Sequence, residues 1–260
     1  MNLRDAGNRN KLFLTSLILL FTTFSYGTEF NSTLIITGIT DEAPFEYTNT
    51  KSGYDGIYPE LWHIWSGRTG IPVKYIVMKK DEALKALAAG TVDAIMGYES
   101  ASGDTELILS NTLYTAKIHI FSKNNISSVE SVADLEPFIV GIRQRDEHKL
   151  KKAKPDITYH TKRTVNELIE CCEKGHINVF ISDADAAGFM MKMTGLWRKY
   201  TQSDKPVMLR EIKAAVLPGN VILLEKINKG FTMINEIEKY IISGTFSGGN
   251  IRYRISRVYV

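Results

Sequence analysis

The strongest constraint on the fold is an alternation of helix and strand patterns that occurs in both halves of the chain. In the first half, the helix pattern DEALKALAAG stops at Gly90, and the apolar run VDAIMGY (92–98) follows at once. In the second half, TVNELIECCEKG stops at Gly175 and INVFIS (177–182) follows. A glycine after a helix-forming segment is typical of a helix end, and a short apolar run bounded in this way is typical of a buried strand. Short links between such elements predict mostly parallel sheets covered by helices.

The same reasoning places the other elements of both halves. Further strands are predicted at 33–40, 73–78, 117–121, 138–142 and 157–162. Helices are predicted at 56–70, 81–90, from about 146, at 164–175 and from 183 to 195. The two halves are laid out alike, so we expect two α/β lobes of similar plan. The last stretch, NIRYRISRVYV, fits a strand period and a helix period equally well, and its structure stays open.

The first residues have a different character from the rest of the chain. Three basic residues precede the apolar run LFLTSLILLFTTF (12–24), and small residues at Ser25 and Gly27 fit a cleavage site after Gly27. Thirteen apolar residues span about 20 Å as a helix, less than the ~30 Å hydrocarbon core of a bilayer, so a transmembrane anchor is the weaker alternative. We predict a cleaved signal peptide at 1–27 and a periplasmic mature protein.

Charge, cysteines and motifs exclude several classes of function. The formal net charge is only +3 and falls further without the basic leader, so no nucleic-acid or acidic-membrane partner is expected. The basic run at 147–155 is typical of a solvated helix face. Cys171 and Cys172 are adjacent, and neighbouring helical side chains point about 100° apart, so no disulfide is predicted and their role stays open. We find no metal-ligand spacing, nucleophile elbow or phosphate loop, and therefore predict no metal, no cofactor and no enzyme activity.

Seven segments that occur in a fixed order along the chain indicate a specific protein family. In chain order they are PFEY, SGYDGIYPELW, KALAAGTVDAIMG, SNTLY, SVADLEPFIVGI, LIECCEKGHINVFISD and AAVLPGNVILLEKINKGFTMI. Over roughly 33–245 the chain resembles the family 3 extracellular solute-binding proteins, the amino-acid-type periplasmic binding proteins of ABC importers.

This resemblance implies an α/β fold of the two-lobed Venus-flytrap kind, a type II periplasmic binding protein with mostly parallel sheets. It implies two hinge crossovers, near 121–123 and 214–217, with a ligand cleft between the lobes. The expected organisation is a signal peptide at 1–27, a first lobe at 28–120 and 216–260, and a second lobe at 121–215.

The resemblance also points to candidate ligand-binding residues. Open α/β sheets bind ligands outside the carboxyl ends of their strands. Phe45 and Tyr47 follow the first strand, on a loop that lines the cleft in this family, although Phe45 can also be a core residue. Tyr98, Glu99 and Ser100 stand at the end of the strand at 92–98 and face the same edge.

Two anion-binding features of the family are missing. Its Thr-x-x-Arg, whose arginine binds the α-carboxylate of the ligand, aligns with Gly103 or Asp104, and no arginine occurs between 71 and 137. Its glycine followed by Ser or Thr, at a helix start in the second lobe, corresponds to Arg145-Asp146. We expect the carboxylate of Asp146 to cap that helix.

Arg143 and Arg145 are then the only cations expected nearby. Either can replace the missing arginine from the opposite lobe, and solvent exposure is the alternative.

Asp183 matches the family. It ends the strand at 177–182, where the family places an aspartate that accepts hydrogen bonds from the α-amino group of the ligand. Its alternative role is to cap the following helix. Asp185 adds a further acidic group. An aromatic and acidic site without the usual arginine suits a ligand that bears an amine.

The expected protein is a non-catalytic, monomeric periplasmic solute-binding protein for a small polar, amine-bearing or amino-acid-like ligand. Its membrane partner is an ABC permease, or alternatively a membrane sensor protein. A dehydratase-type enzyme of the same fold is a further alternative, because Glu99 or Asp183 could act as an acid or base.

Overall fold

The structure is a computed structural model that describes residues 33–38, 42–49, 53–99, 107–126 and 129–247. The predicted signal peptide, Ser100, Gly103, Asp104 and the last ten residues lie outside this part of the chain.

Twelve strands are described: β1 (Leu34–Gly38), β2 (Tyr47–Asn49), β3 (Gly53–Asp55), β4 (Val73–Val77), β5 (Ala94–Tyr98), β6 (Ile108–Leu109), β7 (Tyr114–Lys123), β8 (Ile139–Arg143), β9 (Thr158–Lys162), β10 (Val179–Asp183), β11 (Tyr200–Gln202) and β12 (Met208–Val216). The described helices are α1 (Ile57–Thr69), α2 (Lys80–Ala88), α3 (Glu147–Ala153), α4 (Val165–Glu173), α5 (Ala184–Met193), α6 (Val221–Phe231) and α7 (Glu236–Ser247). The predicted alternation of strands and helices is confirmed.

While β2 and β3 form a separate hairpin, ten of the described strands form one sheet in the order β4-β1-β5-β12-β7-β10-β8-β9, with β6 paired to β12 and β11 to β7. Its two ends are parallel: β1 pairs with β4 and β5, and β8 pairs with β9 and β10. The centre is antiparallel, where β7 and β12 pair with each other. Each parallel end is a half-sheet covered by its own helices, as expected for a two-lobed α/β protein.

Two long strands connect the half-sheets. β12 pairs with β7 from Met208 to Ile212 and then with β5 and β6 up to Val216. β7 continues away from this pairing to meet β10 between Ile118 and Ser122. The chain therefore crosses between the half-sheets twice, which is the connectivity expected for this fold. The lobe boundaries proposed above stay a prediction.

Aromatic packing fixes the helices of the first half. The indole rings of Trp62 and Trp65 on α1 contact each other and the ring of Phe231 on α6. At Gly230, an added Cβ would lie 2.1 Å from Nε1 of Trp65, so only glycine allows α6 to approach α1 this closely. In the second half, Phe121 of β7 stacks on Phe180 of β10.

Helix α7 contacts both halves of the molecule. It packs against α1 and, more extensively, against α5. Arg68 of α1 forms an ion pair of 2.7 Å with Glu238 of α7. On the other side, the hydroxyls of Ser243 and Ser247 donate to Asp185 of α5 at 2.5 and 2.6 Å. This helix thus links the helices that cover the two half-sheets.

Within the described part, no helix is long and apolar enough to cross a membrane. Cys171 and Cys172 are buried free thiols on α4. Burial raises the pKa of the Cys172 thiol, which makes it a poor nucleophile.

Candidate functional site

A tight turn holds Glu42, which lies four residues beyond the last residue of β1. The backbone N–H of Glu42 donates to the carbonyl of Glu46, and the N–H of Phe45 donates back to the carbonyl of Glu42. The first amides of α1 then donate to the carbonyls of Pro44 and Phe45. At Gly56 (φ 130°) an added Cβ would lie 2.5 Å from the Phe45 carbonyl oxygen, so this close approach requires glycine. The loop is therefore held firmly against the start of α1.

Charged side chains converge at the carboxyl ends of four parallel strands. They lie at or just after the ends of β1, β5, β8 and β10, and β12 adds one more from the centre of the sheet. We call this group the charge cluster; its members are Glu42, Glu99, Arg143, Arg145, Asp146, Asp183 and Arg210. It lies where open α/β sheets bind ligands.

Arg145 connects the two half-sheets within the charge cluster. Its Nη1 donates to Glu42 Oε2 at 2.9 Å, and its Nη2 donates to Asp183 Oδ2 at 2.7 Å. Glu99 lies 3.8 Å from the same guanidinium. Arg143 also donates to Glu42, through its own Nη1. One planar cation is thus held between a carboxylate from each half of the molecule.

Arg210 is a site residue that the sequence analysis missed. It donates to Asp183 Oδ1 at 2.7 Å and to Asp146 Oδ1 at 2.5 Å, and its Nε lies 3.3 Å from Glu99. The expectation that Arg143 and Arg145 are the only nearby cations is therefore wrong. The alternation along β12 places Arg210 on the buried side of the strand. Arg210, Ile212 and Ala214 are buried, while the intervening residues are more exposed.

The two helix-capping expectations are also not met. Neither Asp146 nor Asp183 makes a side-chain capping bond to its helix. Arginines bind both oxygens of Asp183 and one oxygen of Asp146, because a guanidinium in a buried site is a stronger partner than a backbone amide. The second oxygen of Asp146 is buried and has no hydrogen-bond partner among the described residues.

The electrostatics of the cluster favour ionised groups. Burial alone would raise the pKa of Asp183, but the guanidiniums of Arg210 and Arg145 outweigh it and hold that pKa below its usual value. Burial opposes the charge of Arg145 and Arg210 as well, and the surrounding carboxylates still raise the pKa of both guanidiniums. Asp183, Arg145 and Arg210 therefore stay charged across the physiological pH range.

Phe45 packs against Tyr58 and does not pair with the charge cluster. It is only 4% exposed, belongs to the buried core and stacks on Tyr58, with ring centroids 5.5 Å apart. Burial first, and then the charges of Asp183 and Glu99, raise the pKa of the Tyr58 hydroxyl well above its usual value. Tyr58, which was not predicted, is thus an aromatic residue whose hydroxyl is affected by the charges of the cluster. Whether Phe45 contacts a ligand stays a prediction.

The structure does not bring the other predicted aromatic residues into the cluster. Tyr47 is half-buried, and its ring lies 6.1 Å from that of Phe189 on α5. Tyr98 is buried in a separate apolar cluster, and Lys80 lies 5.4 Å from its ring centroid. Ser100 lies outside the described residues. Of the eight predicted residues, those that meet are Glu99, Arg143, Arg145 and Asp183.

The carboxylate of Asp185 accepts hydrogen bonds from three hydroxyl groups. Besides Ser243 and Ser247, the hydroxyl of Tyr114 donates to it. Burial and the charge of Asp185 raise the pKa of Tyr114 above its usual value, so this tyrosine stays a donor. Asp185 therefore joins α5 to α7 and is not part of the charge cluster.

Solved structures share this fold. An ancestral cationic amino acid solute-binding protein is 20% identical with a TM-score of 0.69, covering 82% of this chain and 95% of that one. The second substrate-binding domain of a putative amino acid ABC transporter from Streptococcus pneumoniae is 21% identical with a TM-score of 0.68, covering 82% and 99%. A histidine kinase sensor domain similar to periplasmic binding proteins is 15% identical with a TM-score of 0.64, covering 83% and 96%. No curated protein sequence matches the chain significantly.

Two parallel half-sheets joined by two crossover strands define a periplasmic binding protein fold of the two-lobed Venus-flytrap class. The family model for bacterial extracellular solute-binding proteins, family 3, matches residues 34–241. The chain belongs to this family, as its ordered motifs indicated.

Proposed function

We propose that this protein is exported to the periplasm and binds a small solute of net charge +1 at the charge cluster. A membrane partner, which we take to be an ABC importer, then receives the solute. The protein acts by binding and performs no catalysis, in keeping with its family and its structural relatives.

The observation that carries this proposal is the charge balance of the site. Among the described residues, the cluster contains four carboxylates, from Glu42, Glu99, Asp146 and Asp183, but only three guanidiniums. A ligand with one positive charge would complete the balance, whereas an anionic ligand would add to the excess. The free oxygen of Asp146 offers a further acceptor for a ligand N–H. A buried charge is costly unless an opposite charge or a hydrogen-bond partner compensates it.

The geometry supports an amine or a guanidine as the cationic group. Glu42 and Asp183 already hold the planar guanidinium of Arg145 between them, at 2.9 and 2.7 Å. The cationic group of a solute could take this position. The displaced Arg145 would then be available for a carboxylate of the ligand, which suits an amino-acid-like solute. A dehydratase would need a carboxylate with a raised pKa, and that of Asp183 is lowered.

Calorimetric titration with arginine, lysine, glutamine and glutamate tests this proposal. One charge-assisted hydrogen bond is worth about 1.5–3 kcal/mol, so we expect the cationic solutes to bind at least ~10-fold more tightly than glutamine, and glutamate to bind least. Glu99→Gln should reduce this preference, while Glu211→Gln, an exposed glutamate on the same sheet, should not. Glutamate binding more tightly than arginine would contradict the proposal.

A signalling role is the second candidate. The similarity to a histidine kinase sensor domain favours it, because that domain has the same fold over nearly its whole length. Cross-linking in intact cells, followed by mass spectrometry, separates the two roles. Permease subunits among the products would favour transport, and a membrane kinase would favour sensing.

A further inference from the structure

Three features distinguish Arg145 from the other two arginines of the charge cluster. It is the only one of the three that bonds directly to a carboxylate of each half-sheet at under 3 Å, through Glu42 and Asp183. Its side chain is 26% exposed, against 9% for Arg143 and 5% for Arg210. It lies in the 3-10 turn Gln144–Asp146, whereas the other two lie in strands. Arg145 is therefore the arginine whose side chain can most easily move out of the charge cluster.

The remaining contacts of the cluster do not depend on Arg145. Asp183 keeps its bond to Arg210, and Glu42 keeps its bond to Arg143. If the Arg145 side chain swung out, each of these carboxylates would retain one partner and gain one free oxygen. The two freed oxygens would flank a space with the shape and charge of one guanidinium group.

We propose that the side chain of Arg145 is an internal ligand, which occupies the cation subsite of the cleft and holds the two half-sheets together until a solute displaces it. The inference rests on the proposed function for the identity of the solute. It makes Arg145 a determinant of affinity, because each cationic solute must compete with a tethered guanidinium before it can bind. It also predicts that loss of Arg145 loosens the cleft, because, among the described residues, only the Arg143–Glu42 and Arg210–Glu99 ion pairs would then join the two halves within the cluster.

Chemical rescue tests this role without knowledge of the natural solute. The probe is ethylguanidinium, which carries the head group of arginine but no carboxylate. Arg145→Ala should have a larger radius of gyration by small-angle X-ray scattering, and ethylguanidinium should return it to the wild-type value. The probe should bind Arg145→Ala at least 10-fold more tightly than wild type by calorimetry.

Two controls make the result specific. Arg143→Ala removes a guanidinium that bonds to Glu42 alone, so ethylguanidinium should bind it less tightly than it binds Arg145→Ala. Arg163→Ala removes an exposed arginine and should respond as wild type does. Equal binding of the probe by wild type and Arg145→Ala would overturn the inference.

Folding and the proposed function are tested separately. If Arg145→Ala lacks the wild-type circular dichroism spectrum, the same measurements are made on Arg145→Met, which preserves the bulk of the side chain. Failure of both variants to fold would also overturn the inference, because a displaceable group cannot be required for folding. Rescue by ethylguanidinium without binding of any cationic solute by wild type would contradict the proposed function only. Solute binding without rescue would contradict the role of Arg145 only.

Discussion

Asp183 is the residue on which the charge cluster depends most. It is fully buried, and each carboxylate oxygen accepts a hydrogen bond from a different arginine. Breaking a buried ion pair by removing one partner leaves an uncompensated charge and costs more than the pair itself contributes. A neutral residue of the same shape should therefore destabilise the fold while leaving its packing unchanged.

We expect Asp183→Asn to lower the free energy of unfolding by about 3–5 kcal/mol at pH 7. The folded-state pKa of Asp183 is below the unfolded-state value of about 3.9. Its stabilisation is thus fully present above that value and is lost as the pH falls through the folded-state pKa. Urea unfolding of wild type and Asp183→Asn between pH 7 and pH 3 should give a difference that is constant down to about pH 4 and shrinks below it. Asp156→Asn, an exposed position, is the control; a difference that already shrinks between pH 7 and pH 5 would contradict this prediction.

Phe45 tests whether an aromatic side chain of the binding loop is structural. Since its ring is buried and stacked on Tyr58, Phe45→Ala should cost about 3–5 kcal/mol of stability without added solute. Phe189→Ala, at a half-buried position, should cost less. Melting curves of both variants measure the difference. An unchanged melting temperature together with lost solute binding would instead assign Phe45 to the wall of the cleft.

At the scale of elements, helix α7 has a role beyond completing the first half of the fold. It joins α1 through the Arg68–Glu238 ion pair and α5 through the hydroxyl groups bound to Asp185. The contact with α5 is close at Gly188, where an added Cβ would lie 2.8 Å from the carbonyl oxygen of Ser247. The packing of these two helices therefore depends on a position without a side chain.

Gly188→Ala should separate α5 from α7 and destabilise the protein by about 1–3 kcal/mol. Gly67→Ala is a matched control on α1, because an added Cβ there meets no atom within 4 Å. Alanine is the better helix former, so Gly67→Ala should stabilise the protein by up to ~1 kcal/mol. Thermal unfolding of the two variants gives opposite shifts if the helix contact is as tight as described. A stabilising effect of Gly188→Ala would contradict this prediction, because it would show that α7 can shift to accommodate the added methyl group without loss of stability.

At the scale of the whole molecule, the fold and the family both suit a protein that works outside the cytoplasm. The leader pattern predicts cleavage after Gly27. N-terminal sequencing of the exported protein should therefore begin at Thr28. Recovery of the intact chain from a membrane fraction would contradict this prediction, and Gly27→Arg, which removes the small residue at the cleavage site, should block processing.

The order of strands and helices could be predicted from the sequence. The strands β1, β5, β8 and β10 and the helices between them follow apolar runs, helix-forming segments and glycine stops, which are local signals. Glu99, Arg143, Arg145 and Asp183 could be proposed because each stands at or just after the carboxyl end of a predicted strand, and because the resemblance to the family pointed to an aspartate at 183 and to a missing arginine. That edge is where this kind of sheet binds ligands.

Only the tertiary structure decided how these charges pair. Arg210 is 27 residues from Asp183 and 64 from Asp146, and its role follows from the position of β12 at the centre of the sheet. The sequence likewise gave no reason to place Phe45 behind Tyr58 or Asp185 against α7. Local patterns specify which elements form, because propensity acts over a few residues. Which charge meets which is settled by long-range packing, because a buried carboxylate takes the strongest cation within reach and not the nearest in sequence.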